Sequence, residues 1–386
     1  MIGSTPNPET PAPADGPDAL AVPENPVVSR LRERILTSGP VSVATFMQIA
    51  LSDADGGYYA TRDPFGAAGD FTTAPEISQM FGELVGLWCV DTWQSMGSPD
   101  AFALVELGPG RGTLMSDALR AMQQVPACSA AADVHLVETS PALRDIQQTT
   151  LRGRNVTWHD ALPDLDRIPT IFLANEFLDA LPVHQYVRAN GQWCERMVGF
   201  DRTRERFCFA LDRSSRPPPG ALGSELADAQ EGDTFEYSPD VRTAVSDMAH
   251  RIFTNGGAGL IVDYGHTQRA TGLTLQAVRR HRPVDLLDLP GDCDLTAHVD
   301  FQLAREAAVA AGVQAFGPVD QGVFLQRLGI VERAGQLLKP ANVSQAHDIR
   351  TALNRLVAPS EMGVLFKVMA LAGAGQPRPS GFAQGE

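Results

Sequence analysis

Ala103-Leu-Val-Glu-Leu-Gly-Pro-Gly-Arg-Gly-Thr113 joins an apolar run, an acid and three closely spaced glycines. The run Ala101–Leu107 reads as a strand. Gly108, Gly110 and Gly112 then let the backbone turn tightly and approach a ligand without Cβ interference. Thr113–Met122 continues with helical periodicity, so the loop opens a helix whose first amides lack partners within it. Strand, glycine loop and helix in that order suit a nucleoside cofactor; a turn that merely caps a helix is the plain alternative.

Spacing separates two classes of nucleoside. A dinucleotide fingerprint places glycine at the first, third and sixth positions. Here the fifth is Gly112 and the sixth is Thr113, with Glu106 just before the loop. A carboxylate there repels a pyrophosphate but attracts the ammonium and sulfonium of S-adenosylmethionine. The loop therefore favours S-adenosylmethionine over NAD.

Further runs along the chain end in acids. Asp133-Val-His-Leu-Val-Glu138 places Glu138 at the end of a second strand, where a carboxylate can accept both ribose hydroxyls of an adenosine. That role suits either cofactor, and a solvated strand end is the bland account. Ser140-Pro141 supplies an N-cap and first-turn proline for a helix running to Leu151. Asn155-Val-Thr-Trp-His-Asp160 ends in Asp160, an acceptor for an adenine amino group or simply a turn residue. Thr170–Asp179 is continuously apolar until Asn175, Glu176 and Asp179, and Ala258–Gly265 ends on Asp263 and Tyr264. Met362–Leu371 reads as a late edge strand.

Strands alternating with helical stretches indicate an α/β, doubly wound, Rossmann-like sheet covered by helices on both faces. The expected organisation is a Pro- and Ala-rich acidic tail over 1–26, disordered, and a helical N-terminal region over 27–100. The α/β domain then spans 101–182 and 256–371, interrupted by a β-rich insertion at 183–255, and 372–386 forms a flexible tail. Arg30–Leu36 and Ile77–Trp93 are the best N-terminal helices. Alternation around Asn190-Gly191 marks a β meander in the insertion.

The tail lacks the basic, acid-poor character of a mitochondrial presequence and the apolar centre of a secretory signal, and no run is long enough to span a bilayer. A cytoplasmic protein is expected. The cysteines, Cys89, Cys128, Cys194, Cys208 and Cys293, form no C-x-x-C pair and no metal set is apparent. A formal net charge of -15 argues against nucleic acid as the main partner and suits a cationic one.

Gly69-Asp-Phe-Thr-Thr-Ala-Pro-Glu-Ile-Ser78 places Thr72, Thr73 and Glu76 where a helix could begin, as a capping arrangement or a binding loop. Together with Glu106–Thr113, Asn175–Pro182, Asp-Tyr-Gly-His (263–266) and Asp-Leu-Thr-Ala-His-Val-Asp-Phe (294–301), this segment resembles the MidA-type methyltransferase family over about 26–371. That family includes a mitochondrial complex I assembly factor that methylates protein arginine. The resemblance implies a class I methyltransferase fold, S-adenosylmethionine as donor, and symmetric dimethylation of an arginine in a complex I subunit. The implied cofactor loop is Gly108, Gly110 and Gly112, flanked by Glu106 and Glu138.

Transfer of a sulfonium methyl to nitrogen asks the protein mainly to position and desolvate both partners. Carboxylates aimed at a guanidinium can polarise it and fix one nitrogen toward the methyl. Glu176 is the first catalytic candidate and Asp179 and Glu76 the next, with an acid at a helix N-terminus as the plain alternative for Glu176. Asn175 joins the cofactor-facing wall. His298 is either an acceptor-site group or a structural histidine. A small-molecule methyltransferase and a non-catalytic assembly or binding module on the same fold remain the alternatives, with the oligomeric state open.

Overall fold

The runs that carry the glycine loop and the strand-end acids become neighbours in one sheet. In the computed structural model, which describes residues 24–61, 72–165 and 167–385, the long strands of that sheet are β1 (Phe102–Leu107), β2 (Ala132–Val137), β3 (Val156–His159), β4 (Thr170–Asn175), β5 (Gly257–His266), β6 (Gln314–Asp320) and β7 (Phe366–Ala372). Nearly all of the acidic tail, and Gly69–Phe71 of the capping motif, lie outside the described residues.

The spatial order is β6-β7-β5-β4-β1-β2-β3, and a two-residue bridge at Val299–Asp300 extends the end of β5. β1 to β5 run parallel, whereas β7 is antiparallel to both β5 and β6. Every residue of β1 is buried, as a strand covered on both faces requires. From β1 the chain winds one way to β2 and β3, and from β4 the other way to β5. The crevice at that reversal, beyond the carboxyl ends of β1 and β4, is where a doubly wound sheet binds its ligand.

The strand expected at the edge lies inside the sheet. Met362–Leu365 forms a helical turn, and β7 begins at Phe366 between β5 and β6. Its nearly continuous burial fits an interior strand. The true edge, β6, carries Pro318 and a register shift between Phe316 and Val319, features that an edge tolerates and that obscure a strand pattern in sequence.

Helices Gln79–Ser95 and Thr113–Met122 pack together on one face of the sheet. Their closeness depends on Gly82 and Gly86, where an added Cβ would stand 2.6 Å from Asp117 Cβ and 2.4 Å from Ala118 O. The first of these helices starts two residues later than the sequence reading placed it. Ser78 leaves the helical region, caps Met80 N through its side chain, and separates Ala74–Ile77 as its own turn. Helices Pro239–Asn255 and Phe301–Ala310 cover the other face.

Three expected boundaries shift. Pro239–Asn255 falls in the expected insertion, yet Val241, Val245, Met248 and Ile252 form one apolar stripe buried with residues of β4 and β5. The N-terminal region is not purely helical, because Val41–Ser42 pairs with Gln192–Asp201 in a five-stranded antiparallel sheet that also holds His184–Ala189, Arg206–Asp212 and Thr234–Tyr237. A three-stranded sheet at 276–296 packs with the N-terminal helices and that larger sheet into a second lobe. At the C-terminus, Phe382 is buried against Phe316 and Phe324, and Ser380 donates to Asp91 at 2.8 Å. The segment expected to be a flexible tail is therefore anchored.

Candidate active site

Five parallel strands deliver polar groups to one rim. At the end of β1 come Glu106 and then the glycine loop, beyond β2 Glu138, beyond β3 Asp160, beyond β4 Glu176, and near the end of β5 Asp263 and Tyr264. Backbone bonds carry the ladder to this edge: Gly108 N donates to Val137 O at 3.1 Å, Glu138 N to His159 O at 3.0 Å, and Glu176 N to Val262 O at 2.8 Å.

Gly108, Gly110 and Gly112 all adopt positive φ, 60°, 53° and 78°, a conformation that a Cβ disfavours. Gly112 is the N-cap of helix Thr113–Met122, whereas Gly108 and Gly110 line the cleft. Glu106 is buried, one of its carboxylate oxygens has no hydrogen-bond partner among the described residues, and burial pushes its pKa up to about 8. A buried carboxylate without a partner suits a cationic ligand. Glu138 is also buried and its pKa is raised by desolvation, with Oε1 accepting from Ser140 N at 2.8 Å and Oε2 from Gln147 Nε2 at 3.2 Å. This cleft-lining glycine backbone flanked by two desolvated carboxylates fits the expected S-adenosylmethionine.

Gln147 was not anticipated. It is fully buried, donates to both Gly110 O (2.7 Å) and Glu138, and accepts from Trp158 Nε1 at 2.9 Å. One side chain thus ties the loop to the second strand end. Its signal was a glutamine one turn beyond Leu143 on the inward stripe of helix Pro141–Thr150, a place where an amide needs partners. Asp160 is less enclosed: it pairs with Arg144 at 2.7 Å, its side chain largely exposed, at the mouth of a recess with Leu162, Phe177 and Leu181.

The other end of the cleft is acidic. Glu176 has φ 49°, rare for a residue with a Cβ and of the kind that clusters at functional sites. Its Oε1 accepts from Ala74 N (2.9 Å) and Asn175 Nδ2 (3.2 Å), and burial raises its pKa to about 7. Asp179 is buried and raised to about 6 for the same reason. Asp263, raised well above its ordinary value by burial and by Asp179, accepts from the backbone amides of Leu178, Asp179 and Tyr264. It fixes the turn that carries Asp179. The larger cleft, about 1030 Å³ and open to solvent, runs from Gly108 and Glu138 past Glu176 and Asp179 to Tyr264 and Thr296.

Glu76 and His298 are placed differently from Asp179. Glu76 accepts from the Thr113 hydroxyl and pairs with Arg111 at 3.7 Å, so it clasps the segment after Thr73 onto the glycine loop. Asn175 and Glu176 face Glu76 across the same recess. His298 lines a separate cavity with His266 and Glu236 and packs edge-on against Tyr264. Among the described residues no group of three or more His, Cys, Asp or Glu could hold a metal.

Comparison with known proteins agrees with this geometry. A family model of S-adenosyl-L-methionine-dependent methyltransferases matches residues 84–319. The protein arginine methyltransferase NDUFAF7 homolog, mitochondrial, of Drosophila melanogaster is 39% identical, covering 96% of this chain and 91% of its own. The human protein arginine methyltransferase NDUFAF7, mitochondrial, is 36% identical, over 90% of this chain and 84% of its own. A protein of methyltransferase type from Burkholderia thailandensis, solved bound to S-adenosyl-homocysteine, superposes with a TM-score of 0.81 at 29% identity, covering 93% of this chain and 95% of the other. The chain is an S-adenosylmethionine-dependent methyltransferase of the class I fold. The relatives carry the word mitochondrial in their names, which overturns the cytoplasmic location expected from the character of the acidic tail.

Proposed function

The chain belongs to a family of S-adenosyl-L-methionine-dependent methyltransferases, and we propose that its acceptor is an arginine side chain of a protein. The observation that carries this reading is the acidic cleft: Glu176, half-buried, and Asp179, buried, line it directly beyond the glycine loop, and its described lining contains neither Lys nor Arg. A desolvated acidic groove attracts a delocalised cation, and the names of the relatives give arginine as the acceptor in those proteins. A respiratory complex I subunit, dimethylated symmetrically, follows from the family resemblance as the substrate.

In this reading S-adenosylmethionine supplies, when bound, a methyl group on a positively charged sulfur. Glu106 holds the cationic end of the cofactor, while Gly108 and Gly110 admit its backbone-close approach. Glu138, steadied by Gln147, receives the ribose hydroxyls, and Asp160 keeps an oxygen beyond its Arg144 pair for the base. Gly112 acts at one remove, by capping the helix that shapes the loop. Glu176 accepts hydrogen bonds from the guanidinium, holds one nitrogen in line, and takes the proton which that nitrogen sheds once methylated; a group titrating near neutrality suits that task. Asn175 orients Glu176, Asp179 supplies the second carboxylate, and Glu76 keeps the wall that carries Ala74 against Glu176.

Incubation of the purified protein with methyl-labelled S-adenosylmethionine and a lysate rich in respiratory membranes tests the assignment. Label in a protein band that yields symmetric dimethylarginine on hydrolysis is expected. Label confined to small molecules, or to other side chains, overturns it.

A further inference from the structure

Three buried polar groups stand together at the far end of the cleft, and the mechanism above gives a role to only one of them, Asp179. Asp179 Oδ1, the Tyr264 hydroxyl and Thr296 Oγ1 line it, each on a residue less than a tenth exposed; the Tyr264 hydroxyl stands close to both Asp179 and Thr296, yet no hydrogen bond of good geometry satisfies any of the three among the described residues. They come from three separate places: the turn after β4, the end of β5, and the three-stranded sheet of the second lobe. Buried polar atoms are nearly always paired, and leaving one unpaired costs about 1–3 kcal/mol. Three in one cavity wall mark a place where a ligand completes the hydrogen bonding.

The character of the three defines that ligand. A carboxylate only accepts, and a hydroxyl can accept while its own proton turns elsewhere. Burial and the charge of Asp179 push the Tyr264 phenol far up, so it stays protonated and neutral. The wall is therefore one negative charge and two neutral acceptors, on a turn made rigid by Asp263. The second lobe adds Tyr59, whose hydroxyl donates to Asp294 Oδ1 at 2.8 Å, and Phe177 stands on the nearer side, so planar faces are available in the same cleft. An ammonium is a compact point charge; a guanidinium is flat, carries five N–H donors in a fork and stacks on aromatic rings.

Resting on the arginine reading, we propose that Asp179, Tyr264 and Thr296 form the recognition pocket for the acceptor guanidinium and select it over a primary amine. Asp179 pairs with the charge, while Tyr264 and Thr296 act as specificity residues that fix the plane of the group and leave the nitrogen nearest Glu176 turned toward the methyl donor. The second lobe is thus part of the pocket, and the site is complete only where the two lobes meet.

The test uses the full chain saturated with S-adenosyl-homocysteine and two probes, Nα-acetyl-arginine methylamide and Nα-acetyl-lysine methylamide, with binding followed by ligand-observed NMR. The arginine probe should bind about tenfold more tightly than the lysine probe, and Asp179→Asn should weaken it by about 100-fold. Tyr264→Phe and Thr296→Val should each cost the arginine probe about tenfold while narrowing its advantage over lysine. Affinity for S-adenosyl-homocysteine, measured on the same samples, should be unchanged and so report that each variant is folded. No arginine-probe binding by the wild-type complex, equal binding of the two probes, or arginine binding indifferent to all three substitutions would overturn the pocket. Failure of the arginine reading itself appears elsewhere, as lysate label recovered in something other than methylarginine.

Discussion

Glu176 shows how one residue records both fold and chemistry. Its left-handed backbone and the desolvation of its carboxyl both cost stability, which the bond from Ala74 N only partly offsets, and neither is needed to end a strand. Because burial raises the folded-state pKa to about 7 from an ordinary 4.5, the folded protein holds this proton more tightly than the unfolded chain does. Stability from this group is therefore undiminished below about pH 4.5, falls as pH rises toward 7, and is flat above that. Glu176→Gln keeps an acceptor for Ala74 N and removes the ionisation, so it should raise stability by about 2–3 kcal/mol at pH 8 and leave it nearly unchanged at pH 4. Urea unfolding at both pH values checks this, and the same variant should retain cofactor binding while transferring methyl groups at least about tenfold more slowly. An unchanged transfer rate would remove Glu176 from the reaction. In sequence the acids at strand ends were visible because each interrupts an apolar run. The partner that steadies Glu138 was not, since Gln147 reaches the cleft only through tertiary packing.

Between elements, the close pairing of helices Gln79–Ser95 and Thr113–Met122 sets the position of the glycine loop, because the second helix begins at its last glycine. Glu83, at the same interface, receives Arg333 at 2.8 Å and Arg120 at 3.1 Å, and these pairs lower its pKa despite the cost of desolvation. The contact itself rests on the missing side chain of Gly86, whose added Cβ would meet the Ala118 backbone. Gly86→Val should push the helices apart and destabilise the protein by about 3 kcal/mol, read as a lower urea midpoint, with weaker S-adenosyl-homocysteine binding as the loop shifts. Normal binding in that variant would mean the loop holds its shape independently of the helix pair. The periodicity of the second helix gave its bounds from sequence, Thr113–Met122. The first was misplaced at its start because Ser78 is both a cap and a break, and local pattern does not distinguish the two. β6 escaped because an edge strand with a proline and a register shift lacks alternation, and its absence made β7 look like the edge.

For the whole molecule, the reversal in the sheet and the second lobe bring desolvated acids to one rim, lining adjoining recesses or standing just behind them: Glu106 raised to about 8, Glu176 to about 7, Asp179 to about 6, and Asp263 upward as well. Each of these shifts has desolvation as its first cause, so each makes the ligand-free protein less stable as pH rises through the interval between the ordinary and the folded pKa. A chain of net charge -15 has no surplus of cations to offset them. The compensating charge comes with the ligands, through the ammonium of the cofactor and the guanidinium proposed for the acceptor. Binding and pH are then coupled: S-adenosyl-homocysteine, whose ammonium needs an ionised Glu106, should bind more tightly at pH 8.5 than at pH 5.5. At a fixed concentration its stabilisation grows as RT ln(1 + [L]/Kd), so a tenfold gain in affinity adds about 1.4 kcal/mol. The thermal shift it produces should accordingly be larger at the higher pH by several degrees. Glu106→Gln should make the two shifts equal, because its amide does not titrate. A shift in the wild-type protein that is the same at both pH values, or larger at pH 5.5, would show that the buried carboxylate beside the glycine loop is not the partner of the cofactor's positive charge.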